Sequence, residues 1–196
     1  MGSAAQRIAT FEELYRAIQA LPPGLTGEIL EPGVIRTMGR PGGGHRIAAR
    51  GIARSLTGDD QWEGGCGWWL EHEAEIRFGD RLAVPDLSGW RLAQGQSVPP
   101  PFVFDNPITR CPDWCCEVLS DSTRRIDREI KLPLYAESGV ECTWLVDPDA
   151  RRVDVLRARA GHVDLVESLD GPVKRAIQPF ASLVDTSRWW VDSPGG

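Results

Sequence analysis

A predicted strand, helix and strand follow one another within residues 113–148, and this order constrains the fold more than any other feature of the sequence. The first strand is the apolar stretch "DWCCEVLS", and "SDST" supplies capping residues for a helix predicted over residues 124–138. A second apolar strand is predicted at "VECTWLVDP". With the strands that precede it, this succession predicts an α/β core in which helices pack on a mixed sheet.

The other segments each show a period or a turn signal. Residues 10–20 and 45–56 have helical spacing, and Thr10 and Glu13 occupy the capping-box positions of the first helix. Residues 27–38 are typical of a hairpin around a Pro-Gly turn, which with the first helix would form an N-terminal extension. Further segments are predicted as strands at 70–78, 81–90, 153–159 and 162–169, and as a proline-rich loop at 92–112.

Length and composition indicate an ordinary globular protein. A chain of 196 residues is long enough for one full core, so we expect a single domain over residues 1–196. No apolar run reaches the roughly 18 residues that a membrane helix needs, and the N-terminus lacks a signal-peptide apolar region. A cytoplasmic location is therefore expected, and the odd number of cysteines, five, favours reduced thiols.

The net charge of −6 argues against a general nucleic-acid coat protein, so any contact with nucleic acid must use a local patch. Arg46, Arg50 and Arg54 lie at i, i+4 and i+8 in the second predicted helix and form one row. Such a row is usually a solvated helix face, and a phosphate contact is the alternative.

Two acidic residues occur where an apolar strand is predicted. Alternation places Glu117 on the face that it shares with Cys115 and Leu119, where an unpaired carboxylate would cost several kcal/mol. Asp86 has the same character in "AVPDLSGW". Glu117 therefore needs a partner, which could be a metal ion, a lysine, or a second carboxylate with a cation between the two. Two carboxylates on adjacent strands can hold one divalent cation.

Three polar side chains share one face of the helix at 124–138. Asp127, Lys131 and Tyr135 are spaced i, i+4 and i+8, so this face could turn back toward Glu117. Only two of the 22 basic residues are lysines, and a compact ammonium suits work at a water or phosphate. An ordinary helix ion pair with a core tyrosine explains the spacing equally well, while Pro133 predicts a kink near residues 129–130.

Four motifs together resemble the Uma-type family of putative restriction endonucleases, a branch of the PD-(D/E)XK nuclease superfamily. They are Pro-Asp at 85–86, Glu-Val-Leu-Ser at 117–120, Lys-Leu-Pro-Leu-Tyr at 131–135 and Trp-Leu-Val-Asp-Pro at 144–148. The match is specific over residues 112–157 and looser over residues 12–90. The resemblance implies a restriction-endonuclease-like core, with a mixed β-sheet flanked by helices.

The resemblance also implies a catalytic site. Asp86 and Glu117 would bind Mg²⁺ or Mn²⁺, and Lys131 would be the motif's lysine, displaced from the strand to the helix. The family motif usually has this lysine two residues after the glutamate. In this sequence Leu119 occupies that position. The implied reaction is metal-dependent cleavage of nucleic acid, with DNA favoured over RNA.

Further residues would assist this site. Glu28 and His45 resemble polar positions of the family's N-terminal half and are expected to be accessory, while Asp127 and Tyr135 would position the lysine. Asp113 is a reserve candidate for a ligand. The residues expected to contact flanking phosphates are Arg124, Arg125 and Arg128. The tryptophan-rich stretches at 68–78 and 187–193 offer apolar surface for a homodimer, an arrangement expected by analogy with nucleases that cut two strands.

Two other functions stay open. A nuclease fold without catalysis could act as a binding or interaction module, which fits the acidic charge and the displaced lysine; metal binding that depends on Asp86 would argue against it. A two-acid glycosidase would suit the eight tryptophans, and activity retained in EDTA would favour it because such enzymes need no metal.

Overall fold

The computed structural model describes residues 8–39, 41–159 and 161–190. The ends of the predicted single domain, 1–7 and 191–196, lie outside the described residues. The chain begins with helix α1 (Phe11–Gln19), where Thr10 and Glu13 form the predicted capping box. The hairpin of β1 (Thr26–Glu31) and β2 (Val34–Met38) follows, as predicted.

A six-stranded mixed sheet forms the centre of the fold. Its strands lie in the order β10, β9, β8, β7, β6, β3, and only β7 and β8 are parallel neighbours. The strands are β3 (Trp68–His72), β6 (Leu87–Arg91), β7 (Trp114–Val118), β8 (Cys142–Asp147), β9 (Arg152–Arg159) and β10 (His162–Asp170). Helix α2 (Gly43–Ser55) packs on one face. The predicted mixed sheet flanked by helices is confirmed.

A second sheet interrupts two of the predicted strands. β4 (Ile76–Phe78) and β5 (Arg81–Ala83) pair with the hairpin in the order β2, β1, β5, β4. The single strands predicted at 70–78 and 81–90 are therefore wrong. The first breaks at Glu73, whose φ is 48°, and the second breaks at residues 84–86, so the chain passes between sheets at both points. The alternation of apolar and polar residues continues across the break at Glu73, so the sequence pattern does not reveal this break.

The helix predicted over residues 124–138 forms, with a widened turn at its centre. It consists of α3 (Arg124–Ile126), a π-helical turn (Asp127–Lys131) and α4 (Leu132–Ser138). The N–H of Leu132 donates to the carbonyl of Asp127, one residue further back than in an α-helix. The irregularity predicted from Pro133 thus takes the form of a π-turn, which is often found at functional sites.

The C-terminal segment completes the layer beside α2. Strands β11 (Lys174–Ala176) and β12 (Leu183–Asp185) form a two-stranded ribbon, and a 3₁₀ turn (Thr186–Arg188) leads to Trp189. A further short element, a 3₁₀ turn (Pro101–Phe104), lies in the predicted loop. No helix among the described residues is both long enough and apolar enough to cross a bilayer.

Tryptophans fill the core instead of a binding surface. Seven of the eight are buried, and Trp62 is the exposed exception. Trp114, Trp144 and Phe180 stack edge to face around the centre of the cluster beside α2. The tryptophans of the two stretches expected to supply a dimer surface are therefore buried within the chain. Of the eight tryptophans, only Trp62 is exposed and could stack on a sugar.

Gly51 allows α2 to approach the C-terminal segment closely. A Cβ atom at this position would lie 2.8 Å from Trp189 Cδ1 and 2.9 Å from the backbone oxygen of Arg188. We expect Gly51→Ala to lower the free energy of unfolding by about 2 kcal/mol, because backbone atoms must shift to admit the methyl group. Gly43→Ala in the same helix meets no atom within 4 Å and should be neutral or slightly stabilising. Urea denaturation checks both; equal stabilities would contradict the packing argument.

Candidate active site

A cleft of about 840 Å³ opens between the β1–β2 hairpin, the start of α2 and the segment at 120–127. Four acidic residues named from the sequence or the resemblance meet at this cleft or beneath it: Glu28, Asp86, Glu117 and Asp127. Three of them line the cleft wall, while Glu28 is fully buried behind Lys131. The cleft therefore has an acidic floor.

Asp86 lies where the chain leaves the second sheet and enters β6. One carboxylate oxygen accepts a 2.7 Å hydrogen bond from the N–H of Val118, so Asp86 is fixed against the end of β7. Its other oxygen lies 3.0 Å from His45 Nε2, at the start of α2. The break in the predicted strand thus places this carboxylate at the cleft, beside the strand that carries Glu117.

Glu117 is buried near the C-terminal end of β7 and contacts two residues of the helix at 124–138. Lys131 Nζ lies 3.1 Å from Glu117 Oε1 and 3.3 Å from Oε2. The Tyr135 hydroxyl donates a short hydrogen bond to Glu117 Oε1. The helix face predicted from the i, i+4, i+8 spacing is buried and turned toward the strand, since Asp127, Lys131 and Tyr135 are all at most 2% exposed.

Lys131 lies among the acidic groups and holds them together. Its ammonium is 2.9 Å from Glu28 Oε1 and 3.8 Å from Asp127 Oδ1, and it donates to the backbone oxygen of Val84 at 3.3 Å. Glu28 Oε1 also accepts the N–H of Val84. Every donor of the ammonium therefore has a protein acceptor within reach.

Four carboxylates and one ammonium belong to this site, and burial is the main cause of the raised pKa values of two of the carboxylates. Burial raises the pKa of Glu117 well above its usual range despite the opposing charge of Lys131. Burial likewise raises the pKa of Asp127, to about 6, with Lys131 again opposing. Burial alone would lower the pKa of Lys131, but Glu117, Glu28 and Asp127 outweigh it and raise this pKa. One ammonium thus compensates the four carboxylates only in part.

The donor set fits a magnesium-like ion. All four acidic groups offer hard oxygen ligands, and Glu28 Oε2 is buried without a hydrogen-bond partner in the described structure. Within the described residues, no three acidic, histidine or cysteine side chains converge as metal ligands. Two carboxylates, Asp86 and Glu117, with water in the other positions would suit Mg²⁺, which commonly keeps several waters.

His45 is positioned by Asp86. Burial lowers the pKa of the imidazole, but the hydrogen bond and charge of Asp86 outweigh this and raise the pKa above its ordinary value. His45 Nδ1 is buried and has no hydrogen-bond partner in the described part of the chain. The accessory positions Glu28 and His45 therefore contact the lysine and the aspartate respectively.

The three arginines expected at flanking phosphates lie outside the cleft lining. Arg124 pairs with Asp147, Arg128 Nη2 lies 3.3 Å from Asp154, and Arg125 Nε lies 2.8 Å from Glu129. Asp113, the reserve ligand, instead accepts the N–H of Arg91 at 2.7 Å. The structure thus groups the acidic residues and Lys131, but it does not bring these arginines or Asp113 to the cleft.

Arg36 lines the cleft and was missed from the sequence. It lies directly opposite Glu28 in the β1–β2 register. Symmetry about the Pro-Gly turn would have placed Glu28 opposite Thr37 instead, because an irregularity between Glu28 and Glu31 shifts the register of the hairpin by one residue. Hydroxyls of the predicted cap region, those of Ser120, Ser122 and Thr123, also lie at the cleft.

Comparison with known proteins agrees with this architecture. The chain is similar over 92% of its length to a crystal structure described as a putative nuclease belonging to DUF820, from Anabaena variabilis ATCC 29413, with 98% of that chain covered. The TM-score is 0.66 and the sequence identity is 23%, so the likeness shows a shared fold. No curated protein matches the chain. The model of the Uma2 family, described as "putative restriction endonuclease", matches residues 10–185, and the chain therefore belongs to this family.

Proposed function

We propose that the protein is a metal-dependent endonuclease that hydrolyses phosphodiester bonds of nucleic acid, with DNA as the preferred substrate. The observation that carries the proposal is the acidic cleft, where Asp86 lines the wall and three further carboxylates lie at ion-pair distance from one buried lysine. This arrangement occurs in a member of a family described as putative restriction endonucleases.

Asp86 and Glu117 would hold the metal, Mg²⁺ or Mn²⁺, because Asp86 directly precedes β6, the neighbour of the strand that carries Glu117. When bound, such an ion offsets negative charge on the scissile phosphate and lowers the pKa of water. Lys131 would stabilise charge at the nucleophile or phosphate after releasing one of its present acceptors. Tyr135 would hold Glu117, Asp127 would position Lys131, and His45 would orient Asp86.

Cations near the cleft would position the nucleic-acid backbone. Arg36 at the cleft wall is the first candidate, since it is the arginine that lines the acidic cleft among the described residues. Arg125 is 86% exposed and bonded only within its own helix turn, so it is more accessible than Arg124 or Arg128, which are paired with acidic residues of the sheet. Any phosphate contacts from Arg124, Arg125 and Arg128 would lie outside the cleft.

We further propose a cytoplasmic homodimer, by analogy with nucleases that cut both strands of a duplex. The edge strand β10 offers a surface for pairing, because Leu165 and Val166 are exposed on it. A binding module without catalysis is the alternative, and the complete engagement of the Lys131 donors favours it.

Cleavage assays test the proposal directly. Plasmid DNA, single-stranded DNA and RNA are incubated with the purified protein in Mg²⁺, Mn²⁺ or EDTA. We expect cleavage with either metal, none in EDTA, and a loss of at least about a hundredfold in Glu117→Gln because its carboxylate is a ligand. Glu137→Gln, the same change on an exposed side chain paired with Arg81, should retain the wild-type rate.

Two results would contradict the nuclease proposal. Absence of cleavage under every condition would leave the binding module as the function. Cleavage that persists in EDTA or in folded Glu117→Gln would show that this site is not the catalytic centre.

A further inference from the structure

A second cleft lies on the other side of α2 from the acidic one. Its volume is about 610 Å³, and its walls are the exposed side of α2, the β11–β12 ribbon and the 3₁₀ turn at Thr186–Arg188. His45 of the acidic cleft and Arg54 of the second cleft are nine residues apart, which is about two and a half helical turns. The helix therefore separates two clefts of different character.

Positive charge dominates the second cleft. Its basic lining residues are Arg50, Arg54, Lys174 and Arg188. All four are exposed, and none has an acidic partner at ion-pair distance in the part of the chain that the structure describes. Asp185 is the one acidic residue among the lining residues, and its carboxylate accepts the N–H of Ser187. Hydrogen bonds from Ser187, with the charges of Lys174 and Arg188, lower the pKa of Asp185.

Of the fifteen described arginines outside this cleft, eight form ion pairs with acidic neighbours. Those in ion pairs are Arg77, Arg81, Arg91, Arg124, Arg125, Arg128, Arg152 and Arg175. In a chain with a net charge of −6, the second cleft brings together, in one concave place, four basic residues that have no such partner in the described structure. Such a concentration is the local patch that contact with a polyanion requires.

The walls of this cleft are held rigidly. Ser55 Oγ donates to the backbone oxygen of Asp185 at 3.0 Å and accepts from Trp189 Nε1 at 2.9 Å. Gly51 lets the backbone of Arg188 approach α2 without a clash. The backbone positions that carry the cations of α2 and of the C-terminal segment are therefore held relative to one another before any ligand arrives, which reduces the entropy lost on binding.

We propose that this basic cleft binds the phosphate backbone of nucleic acid outside the catalytic cleft. The proposal rests on the proposed nuclease function and extends it with a second contact surface. Arg50 and Arg54 are separated by a rise of about 6 Å along α2, which presents them as a row to successive phosphates of one strand. Arg46 continues the row toward the acidic cleft, so a bound strand crosses the exposed side of α2.

Binding measurements with matched variants test this proposal. Fluorescence anisotropy is recorded in the Glu117→Gln background, which removes cleavage, with a long duplex of three helical turns. Arg50→Gln/Arg54→Gln should weaken binding of the long duplex at least about tenfold and reduce the slope of log K against log salt by about 2.

Arg157→Gln/Arg159→Gln is the control, because it removes the same charge from β9, away from both clefts. Equal losses in the two double variants would overturn the proposal in favour of a general charge effect. Unchanged binding of the long duplex by Arg50→Gln/Arg54→Gln would overturn it while leaving the nuclease function standing. Competition by polyglutamate as strong as by DNA would assign the cleft to an acidic protein. Absence of any nucleic-acid binding, with no cleavage by the wild type, would refute both proposals.

Discussion

Lys131→Met is expected to lower the free energy of unfolding by about 3–5 kcal/mol, because it removes one partner of buried ion pairs. The ammonium contacts Glu117 and Glu28 and lies near Asp127, and its side chain is 3% exposed. Methionine fills much the same volume, so the loss reports charge and not a cavity. The control is Lys174→Met, which alters the one other lysine of the sequence. Because Lys174 lies exposed on β11, this change should alter the free energy of unfolding little.

The pH dependence of this loss identifies its cause. Burial raises the pKa of Glu117 and that of Asp127, so the folded variant binds more protons than the unfolded chain as the pH falls. The destabilisation by Lys131→Met should therefore be larger at about pH 8 than at about pH 5. Glu117→Gln should restore part of the stability in the double variant, and urea denaturation measures both effects. An equal loss at both pH values, without rescue, would refute the charge explanation.

Asp86→Asn is expected to lower the rate of metal-dependent cleavage by about 10³-fold or more, equivalent to about 4 kcal/mol of transition-state stabilisation. Asparagine keeps an oxygen that can accept the N–H of Val118, so the junction between β5 and β6 should remain folded. The change removes the negative charge with which the side chain would hold a divalent ion. Single-turnover cleavage at saturating Mn²⁺ measures the effect.

The matched control for this variant is Asp80→Asn, on an exposed turn outside the cleft lining. It should cleave at the wild-type rate. A folded Asp86→Asn protein that also retains this rate would remove Asp86 from the catalytic assignment.

Local patterns were sufficient to predict much of the fold and the central part of the candidate site. The apolar strand at Glu117 and the helix face of Asp127, Lys131 and Tyr135 are set by short-range periodicity, and the structure has both. The cost of burying a carboxylate predicted that Glu117 needs a cationic or metal partner, and its contact with Lys131 meets that need.

Features that depend on how distant segments meet were not predicted. The alternation at 70–78 does not reveal that β3 and β4 join different sheets, because both strands continue the same period through the left-handed turn at Glu73. The basic cleft joins α2 to Lys174 and Arg188, more than a hundred residues away along the chain. The arginine row had an evident helical spacing, but the spacing gave no information on what lies opposite it.

Titration of the protein with Mn²⁺ by isothermal calorimetry, for wild type and Asp86→Asn, tests the central claim that this acidic cluster is a divalent-metal site. We expect the wild type to bind Mn²⁺ and the affinity to fall at least about tenfold in the variant, because one of two carboxylate ligands loses its charge. Absence of binding by the wild type at millimolar Mn²⁺, or equal affinity in the two proteins, would contradict the metal site and with it the proposed mechanism.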